Sequence, residues 1–161
     1  MDGNWSFWKP AIVTFVLFMI VGGAGAVLTE LGSWYRNLRK PSWQPPDWLF
    51  GPAWTTIFAL TSLSAAFAWQ HAQTPGDRQT IIALLAINAF FNILWSVLFF
   101  RMRRPDWALI EAFPLWLSIL APIILFGRYS HTASWLLVPY LVWVTFAIRL
   151  NYKIIQLNPQ T

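Results

Sequence analysis

Cysteine is absent from this sequence, and charged residues are scarce. Without a thiol, the chain can form no disulfide framework, no thiolate metal site and no cysteine nucleophile. Only 11% of its 161 residues are charged and 57% are hydrophobic, whereas soluble domains usually contain about 25% charged residues. Because a soluble monomer could not bury that much apolar surface, the composition indicates a membrane protein.

Residues that commonly carry catalysis are also few. His71 and His131 lie at the ends of apolar runs and far apart in sequence, so neither suggests a haem or metal ligand. Asp106 and Glu111 fall near the start of a predicted helix, where the helix dipole favours acids. The sequence shows no nucleophile paired with a base, no metal-ligand cluster and no phosphate-binding glycine loop. We therefore predict no catalytic residue, no metal site and no required cofactor.

Apolar stretches are plentiful, and five of them are long enough to span a bilayer, which takes about 20 residues per helix. The gaps between the last four are short, so consecutive helices should be antiparallel neighbours. The sequence thus predicts an all-α membrane protein, a single domain over residues 1–161 built as a five-transmembrane-helix bundle. The predicted helices cover residues 10–28, 51–69, 80–100, 107–126 and 132–152.

The first stretch ends in small residues, Gly22-Gly23-Ala24-Gly25-Ala26. Its Ala24-Gly25-Ala26 segment is similar to a signal-peptidase site, but the run is longer than the roughly 7–15 apolar residues of a signal peptide. No Lys or Arg precedes it within residues 1–8, so we expect the helix to be retained. Small residues at spacings of three and four permit close helix approach, either within the bundle or in a homodimer.

Basic residues are distributed unequally between the two sides that five spans define. By the positive-inside rule, the C-terminus and the first and third loops should be cytoplasmic, and in a bacterial cell membrane the N-terminus would face the periplasm. The basic residues lie in short gaps rather than on one continuous face, so we expect no nucleic-acid partner. Three basic residues lie on the N-terminal side, namely Lys9, Arg78 and Arg128. Eight basic residues lie on or near the other side, namely Arg36, Arg39, Lys40, Arg101, Arg103, Arg104, Arg149 and Lys153.

The connection between the first two helices, residues 30–50, is long, aromatic and rich in proline. Pro41, Pro45 and Pro46 restrict its backbone, and its length exceeds that of an ordinary connection in a compact domain. An interfacial aromatic belt would account for Trp48 alone. We favour a structured lid, because a belt needs no prolines. Ser33 could cap a short turn through Leu38 that directs Trp34, Tyr35 and Leu38 to the bundle and Arg36 and Arg39 to water.

Polar and aromatic residues share faces within the predicted helices. Asn88, Asn92 and Trp95 are spaced i, i+4, i+7, and asparagines within a membrane need partners, so this face should point inward. The asparagines could hydrogen-bond neighbouring helices, at about 1 kcal/mol each, or contact a ligand, and Asn92 could do both. The second and fifth helices repeat the pattern with Trp54, Phe58 and Thr61, and with Pro139, Trp143, Phe146, Ala147 and Leu150.

Three segments of the sequence are distinctive: WYRNLRKPSWQPPDWLFGPAW at residues 34–54, Asn92-Ile-Leu-Trp95, and LLVPYLVWVTFAIRLN at residues 136–151. Together they resemble the translocator protein, or tryptophan-rich sensory protein, family. The resemblance implies a five-helix membrane bundle, often a homodimer, that binds porphyrins such as protoporphyrin and haem. In some members it implies binding of sterols and benzodiazepine-like drugs, and some bacterial members are reported to promote light-dependent breakdown of protoporphyrin.

The same resemblance assigns site residues. Many members have tyrosine where Phe58 stands and glutamine where Asn88 stands, so hydrogen bonding to a ligand should differ here. The sterol signature is incomplete: Leu150 and Tyr152 are present, but no later basic residue completes it, and only a reversed pattern through Arg149 fits. The implied pocket consists of Tyr35, Pro45, Trp54, Phe58, Asn92, Trp95, Trp143 and Ala147, with Asn88 on the same helix face and Trp34 and Trp43 in the lid.

A porphyrin is a flat apolar disc with acidic side groups, so its site should place rings on its faces and cations at its rim. Trp54, Trp95 and Trp143 could supply the faces, while Arg36, Arg39 and Lys40 could pair with propionates. Three functions remain open: a sensor or regulator of tetrapyrrole metabolism or stress, a light-dependent porphyrin-degrading enzyme, and a porphyrin or sterol transporter. We rank the sensor first because no acid–base centre is apparent, and the transporter last because no inverted repeat is apparent.

Overall fold

The computed structural model describes residues 2–29 and 32–159, and within these ranges the chain is a bundle of helices. A single 3-10 turn, Asp47–Leu49, precedes α3, and a π-helical turn, Val97–Arg101, extends α4. Five helical segments are long and apolar enough to cross a membrane, which confirms the predicted five-helix bundle. The helices are α1 (Asp2–Leu28), α2 (Ser33–Asn37), α3 (Phe50–His71), α4 (Pro75–Ser96), α5 (Pro105–Phe126), α6 (His131–Leu136) and α7 (Val138–Leu157).

Several helices extend beyond the predicted boundaries. The first begins at Asp2 rather than at residue 10, and the last ends at Leu157 rather than at residue 152. The predicted limits followed the apolar runs, whereas backbone hydrogen bonding continues into the polar flanks. Local signals fix the start of α4, where Thr74 and Asp77 form a reciprocal capping box and Pro75 occupies the first turn.

The long helices surround a common interior in an order that differs from their order along the chain. Going around the bundle, the spatial order of the helices is α1, α3, α7, α5 and α4, and α4 also contacts α1. The contact between α3 and α7 is the sparsest of this ring, and α3 packs instead on the short α6. The outer faces carry large exposed hydrophobic side chains such as Ile20, Ile110 and Phe113, as expected of a lipid-facing surface.

The connection after α1 is folded back onto the bundle, as the prediction of a structured loop requires. We call residues 32–49 the lid. Tyr35 and Leu38 are buried in one cluster with Phe99 of the π-helical turn and Leu150 of α7, while Arg36 and Arg39 are exposed. The N-cap of α2 is Gly32 rather than Ser33, which is already the first helical residue.

Side-chain contacts hold the lid to two different helices. Trp34 lies edge-on to Phe99, with ring centroids 6.0 Å apart, and Trp43 lies edge-on to Phe146 of α7 at 5.8 Å. At the end of α7, the side-chain amide of Asn158 brackets the backbone of Arg39. The Arg39 N–H donates to Asn158 Oδ1 at 3.0 Å, and Asn158 Nδ2 donates to the Arg39 carbonyl at 2.9 Å.

Candidate functional site

A cavity of about 540 Å³ lies between the lid and the bundle. Its wall draws on α1, the lid, α3, α4, the π-helical turn, α5 and α7. Small-molecule sites in proteins usually occupy roughly 300–1,000 Å³ and are lined mainly by apolar and aromatic groups. The cavity therefore has the size and the position expected of a ligand site within the membrane.

Three indoles from three helices line this cavity, and each is held by another ring. Trp95 of α4 stacks on Phe99, with centroids 5.0 Å apart and planes 18° from parallel. Trp54 of α3 packs against Phe58 at 5.5 Å, and Trp143 of α7 meets Phe50 edge-on at 5.7 Å. Such contacts fix the orientation of each indole, so the cavity presents preformed aromatic surfaces to a guest.

Small residues of α1 form the opposite wall. Gly22, Gly23, Gly25 and Ala26 all line the cavity. A Cβ atom added at Gly22 would lie 2.7 Å from Cε2 of Phe58, and one at Gly25 would lie 3.4 Å from Oγ of Ser96. The glycines thus allow α1 to approach the bundle while leaving the space that larger side chains would fill.

A buried hydrogen-bond network links the deep end of the cavity to the core. Asn92 Nδ2 donates to Tyr140 Oη at 2.9 Å, and that hydroxyl donates to Asn88 Oδ1 at 3.2 Å. Asn88 Nδ2 in turn donates to Ser118 Oγ at 2.9 Å, which satisfies the amide between helices. Asn92 lines the cavity, whereas Asn88 lines a separate void of about 10 Å³. Of the two roles considered for these residues, Asn88 has the interhelical one and Asn92 has a position that serves both.

At the lid end the polar groups are Tyr35, Gln44 and Asp47, which all line the cavity. Tyr35 Oη donates to Asp47 Oδ1 at 3.1 Å, and Gln44 Nε2 donates to the same oxygen at 3.2 Å. Burial, followed by the charge and the hydrogen bond of Asp47, raises the pKa of Tyr35 to about 12. Lys40 Nζ lies 3.6 Å from the centre of the Tyr35 ring. The tyrosine is therefore a neutral donor that ties the lid helix α2 to the turn before α3.

The structure brings most of the predicted pocket residues to one cavity. Pro45 is half-buried in the lid and does not line the cavity, and Asn88 is one helical turn deeper than Asn92. Those that line it are Tyr35, Trp54, Phe58, Asn92, Trp95, Trp143 and Ala147, together with Leu150 of the incomplete sterol signature.

The predicted lid residues lie behind the cavity wall rather than in it. Trp34 and Trp43 pack on the bundle, and the Arg149 guanidinium lies 5.7 Å from the centre of the Trp43 ring. Tyr152, also from the sterol signature, is 53% exposed. The cations expected to meet propionates, Arg36, Arg39 and Lys40, are not among the described residues that line the cavity.

Among the parts of the wall that sequence reasoning missed are Gln44, Asp47, Phe100 and the glycines of α1. An extended proline-rich segment has no helical period, so its inward side cannot be deduced from spacing, and Gln44 and Asp47 carried no signal. Phe100 enters the wall beside Phe99 because the π-helical turn changes the direction of successive side chains. The glycines were recognised as sites of close helix approach, but not as the wall of a cavity.

This geometry, a cavity walled by tryptophan beneath a proline-stiffened lid, coincides with a family match over most of the chain. The sequence profile described as the TspO/MBR family matches residues 12–157. The chain belongs to this family. The predicted resemblance is thereby confirmed, and with it the assignment as a multi-pass membrane protein.

Relatives from distant organisms align over nearly their whole length. The chain is 42% identical over 145 residues to the tryptophan-rich protein TspO of Chlorobaculum tepidum, covering 89% of this chain and 92% of that protein. It is 37% identical over 147 residues to protein CrtK of Rhodobacter capsulatus, with 91% of each covered. The translocator protein of Bos taurus is 32% identical over 154 residues, covering 94% of this chain and 91% of that protein. The TspO/MBR architecture therefore extends across the described bundle.

Proposed function

We propose that this protein binds a planar, largely apolar tetrapyrrole of the porphyrin or haem class in its intramembrane cavity, and acts as a sensor or regulator. The observation that carries the proposal is the cavity of about 540 Å³ to which α3, α4 and α7 each contribute an indole. A flat macrocycle matches such a wall because its faces can stack on the rings while its apolar edge meets Gly25 and Ala147. A relative in Cereibacter sphaeroides, 39% identical, is named a tryptophan-rich sensory protein, which supports a sensory role.

Binding becomes a signal if the lid has different positions with and without the guest. Ligands shift an equilibrium only through different affinities for its states, and the lid residues Tyr35, Gln44 and Asp47 line the cavity directly. A guest would therefore alter the contacts that hold the lid. A soluble partner could recognise the resulting change in lid position through the exposed residues Arg36 and Arg39. We extend the proposal to the binding of sterols and benzodiazepine-like drugs and to a homodimer on the basis of the family alone.

A light-dependent reaction is the second candidate, and the proximity of three indoles to one guest favours it. An excited porphyrin held against Trp54 or Trp143 would have an oxidisable ring within contact distance. Replacing both residues with Phe distinguishes the two functions. A binding protein keeps saturable affinity and shows no product under light with or without the change, whereas an enzyme yields a product spectrum that the double variant loses.

Fluorescence titration tests the binding proposal directly. Protoporphyrin added to the protein in lipid nanodiscs should quench tryptophan emission saturably. Trp95→Ala removes a cavity wall and should weaken affinity about tenfold, since a stacked aromatic pair contributes about 0.5–1.5 kcal/mol beyond its buried area. Trp107→Ala is the matched control, because Trp107 is 55% exposed on the outer face of α5. Quenching that never saturates, or equal affinity in the two variants, would contradict the proposal.

We also propose that the lid side of the bundle faces the cytoplasm of a bacterial cell and that the N-terminus faces the periplasm. The eight basic residues at or near that side support this orientation. A reporter domain that works only in the cytoplasm should be active when it is fused after residue 161, and one that works only in the periplasm should be inactive there. Activity of a periplasm-dependent reporter at the same position would reverse the assignment.

A further inference from the structure

The charge of the cavity wall is one-sided. Of the described residues that line the cavity, Asp47 alone carries a formal charge at neutral pH, and none is Lys or Arg. Tyr35 is the other ionisable lining residue, and it is neutral at this pH because a tyrosine pKa is ordinarily about 10 and burial raises the pKa of Tyr35 further. A guest within this wall therefore meets one negative charge and no positive one.

Gln44 leaves one acceptor beside Asp47 without a partner. Gln44 Nε2 donates to Asp47 Oδ1 at 3.2 Å, and this bond leaves the amide oxygen Oε1 of Gln44 as a further acceptor. That oxygen is buried and has no hydrogen-bond partner within the described chain. A buried acceptor without a donor is unfavourable. Because Gln44 lines the cavity, a small rotation of its amide would bring this oxygen to a donor on a guest.

The hydroxyl donors of the wall are already engaged with the backbone. Thr29 Oγ1 donates to the Gly25 carbonyl at 2.7 Å, and Thr55 Oγ1 donates to the Gly51 carbonyl at 3.0 Å. Ser96 Oγ donates to the Asn92 carbonyl at 3.4 Å. What remains for a guest are neutral donors, namely the indole N–H groups and the second amide N–H of Asn92, and none of these can neutralise a carboxylate.

The basic side chains near the lid are directed to aromatic rings or to the surface. Lys40 Nζ lies over the Tyr35 ring at 3.6 Å, and Arg149 lies over the Trp43 ring at 5.7 Å. Arg36 and Arg39 are exposed. In the part of the chain that the structure describes, none of the four lines the cavity.

We propose that Asp47 and Gln44 form a donor-selective subsite at the lid end of the cavity. A planar guest with an amine or another hydrogen-bond donor at that end binds more tightly than the same guest with a free carboxylate. Asp47 is exposed, so water screens its charge in part, but a second carboxylate brought beside it is still repelled, whereas a cationic donor gains a charge-assisted hydrogen bond. This inference rests on the proposed function and narrows its ligand class: a diacid porphyrin has to keep its propionates away from Asp47.

Three versions of one macrocycle test the subsite. They are protoporphyrin with two free carboxylates, its neutral dimethyl ester, and its cationic bis(aminoethyl) amide, each titrated into the protein in nanodiscs of neutral lipid. The ratio of the affinity for the cationic amide to the affinity for the diacid should be several-fold higher in the unaltered protein than in Asp47→Asn. Asp47→Asn should weaken the amide and strengthen the diacid, and should change ester affinity less than about twofold. Because each ligand is compared between variants, its partition into the bilayer cancels.

Two further variants make the result specific. Gln44→Glu adds a second negative charge at the same end and should increase the preference for the cation, which is opposite to the effect of Asp47→Asn. Asp106→Asn removes an equal charge from an exposed pair with Arg104, outside the cavity, and should leave all three affinities unchanged.

The outcomes separate this inference from the proposal on which it rests. Saturable binding of all three ligands with the same amide-to-diacid affinity ratio in Asp47→Asn as in the unaltered protein would overturn the subsite and keep the binding function. Failure of all three ligands to saturate would overturn the proposed function itself.

Discussion

At the scale of single residues, the site depends on polar groups whose partners lie on other helices. Helical spacing identified Asn88, Asn92 and Trp95 as one inward face, and the structure places two of them at the cavity. Spacing could not show that Tyr140 of α7 joins the two asparagines, because contacts between helices depend on their order in the bundle. Glu111 shows the same limit: expected to stabilise a helix end, it is buried, and neither carboxylate oxygen has a partner among the described residues.

The Tyr140 hydroxyl should be important for stability. Tyr140→Phe leaves the amide nitrogen of Asn92 and the amide oxygen of Asn88 without their partner, while the ring keeps its packing. We expect a loss of about 1–3 kcal/mol in the free energy of unfolding, seen as a lower thermal midpoint in detergent. Tyr152→Phe removes a hydroxyl from a side chain that is 53% exposed and should leave the midpoint unchanged. Equal midpoints for the two variants would mean that the hydrogen bonds of Tyr140 contribute nothing to the free energy of unfolding.

At the scale of elements, the sequence predicted that the lid is structured, but not which of its side chains face the cavity. Its prolines and aromatic residues distinguish it from an ordinary loop, and they predict a structured segment. Which side chains face the cavity depends on the 3-10 turn at Asp47–Leu49 and on α2 docking beside Phe99. The π-helical turn after α4 was likewise outside the reach of periodicity, since Val97–Arg101 continues the apolar run of the helix.

The amide of Asn158 should control how readily the lid opens. Its two hydrogen bonds to the Arg39 backbone connect the lid to the end of α7. Asn158→Ala should therefore raise the dissociation rate of a bound porphyrin several-fold, because each hydrogen bond contributes about 0.5–1.5 kcal/mol to the closed state. Stopped-flow fluorescence after dilution measures this rate.

A neighbouring asparagine serves as the control for that experiment. Asn37 is exposed on α2, and its side chain makes no hydrogen bond within the described structure, so Asn37→Ala should leave the dissociation rate unchanged. A rate equally unchanged in Asn158→Ala would show that the lid is held by its aromatic contacts alone.

At the scale of the whole molecule, hydropathy was sufficient for the five spans but not for their arrangement. The order α1, α3, α7, α5, α4 brings Trp54, Trp95 and Trp143 around one space, although they are far apart in the chain. Glycines of α1 keep that space from being filled by side chains. The cavity is therefore a property of the assembled bundle, and each helix alone showed only one aromatic or small-residue face.

A structure of the protein with bound zinc protoporphyrin tests the central claim most directly, because the anomalous signal of zinc locates the macrocycle without ambiguity. The account predicts zinc within the cavity, with the ring plane in contact with Trp54, Trp95 or Trp143 and the lid closed above it. Zinc found only on the outer face, beside exposed residues such as Trp107 and Phe113, with the cavity unoccupied by the porphyrin, would contradict it.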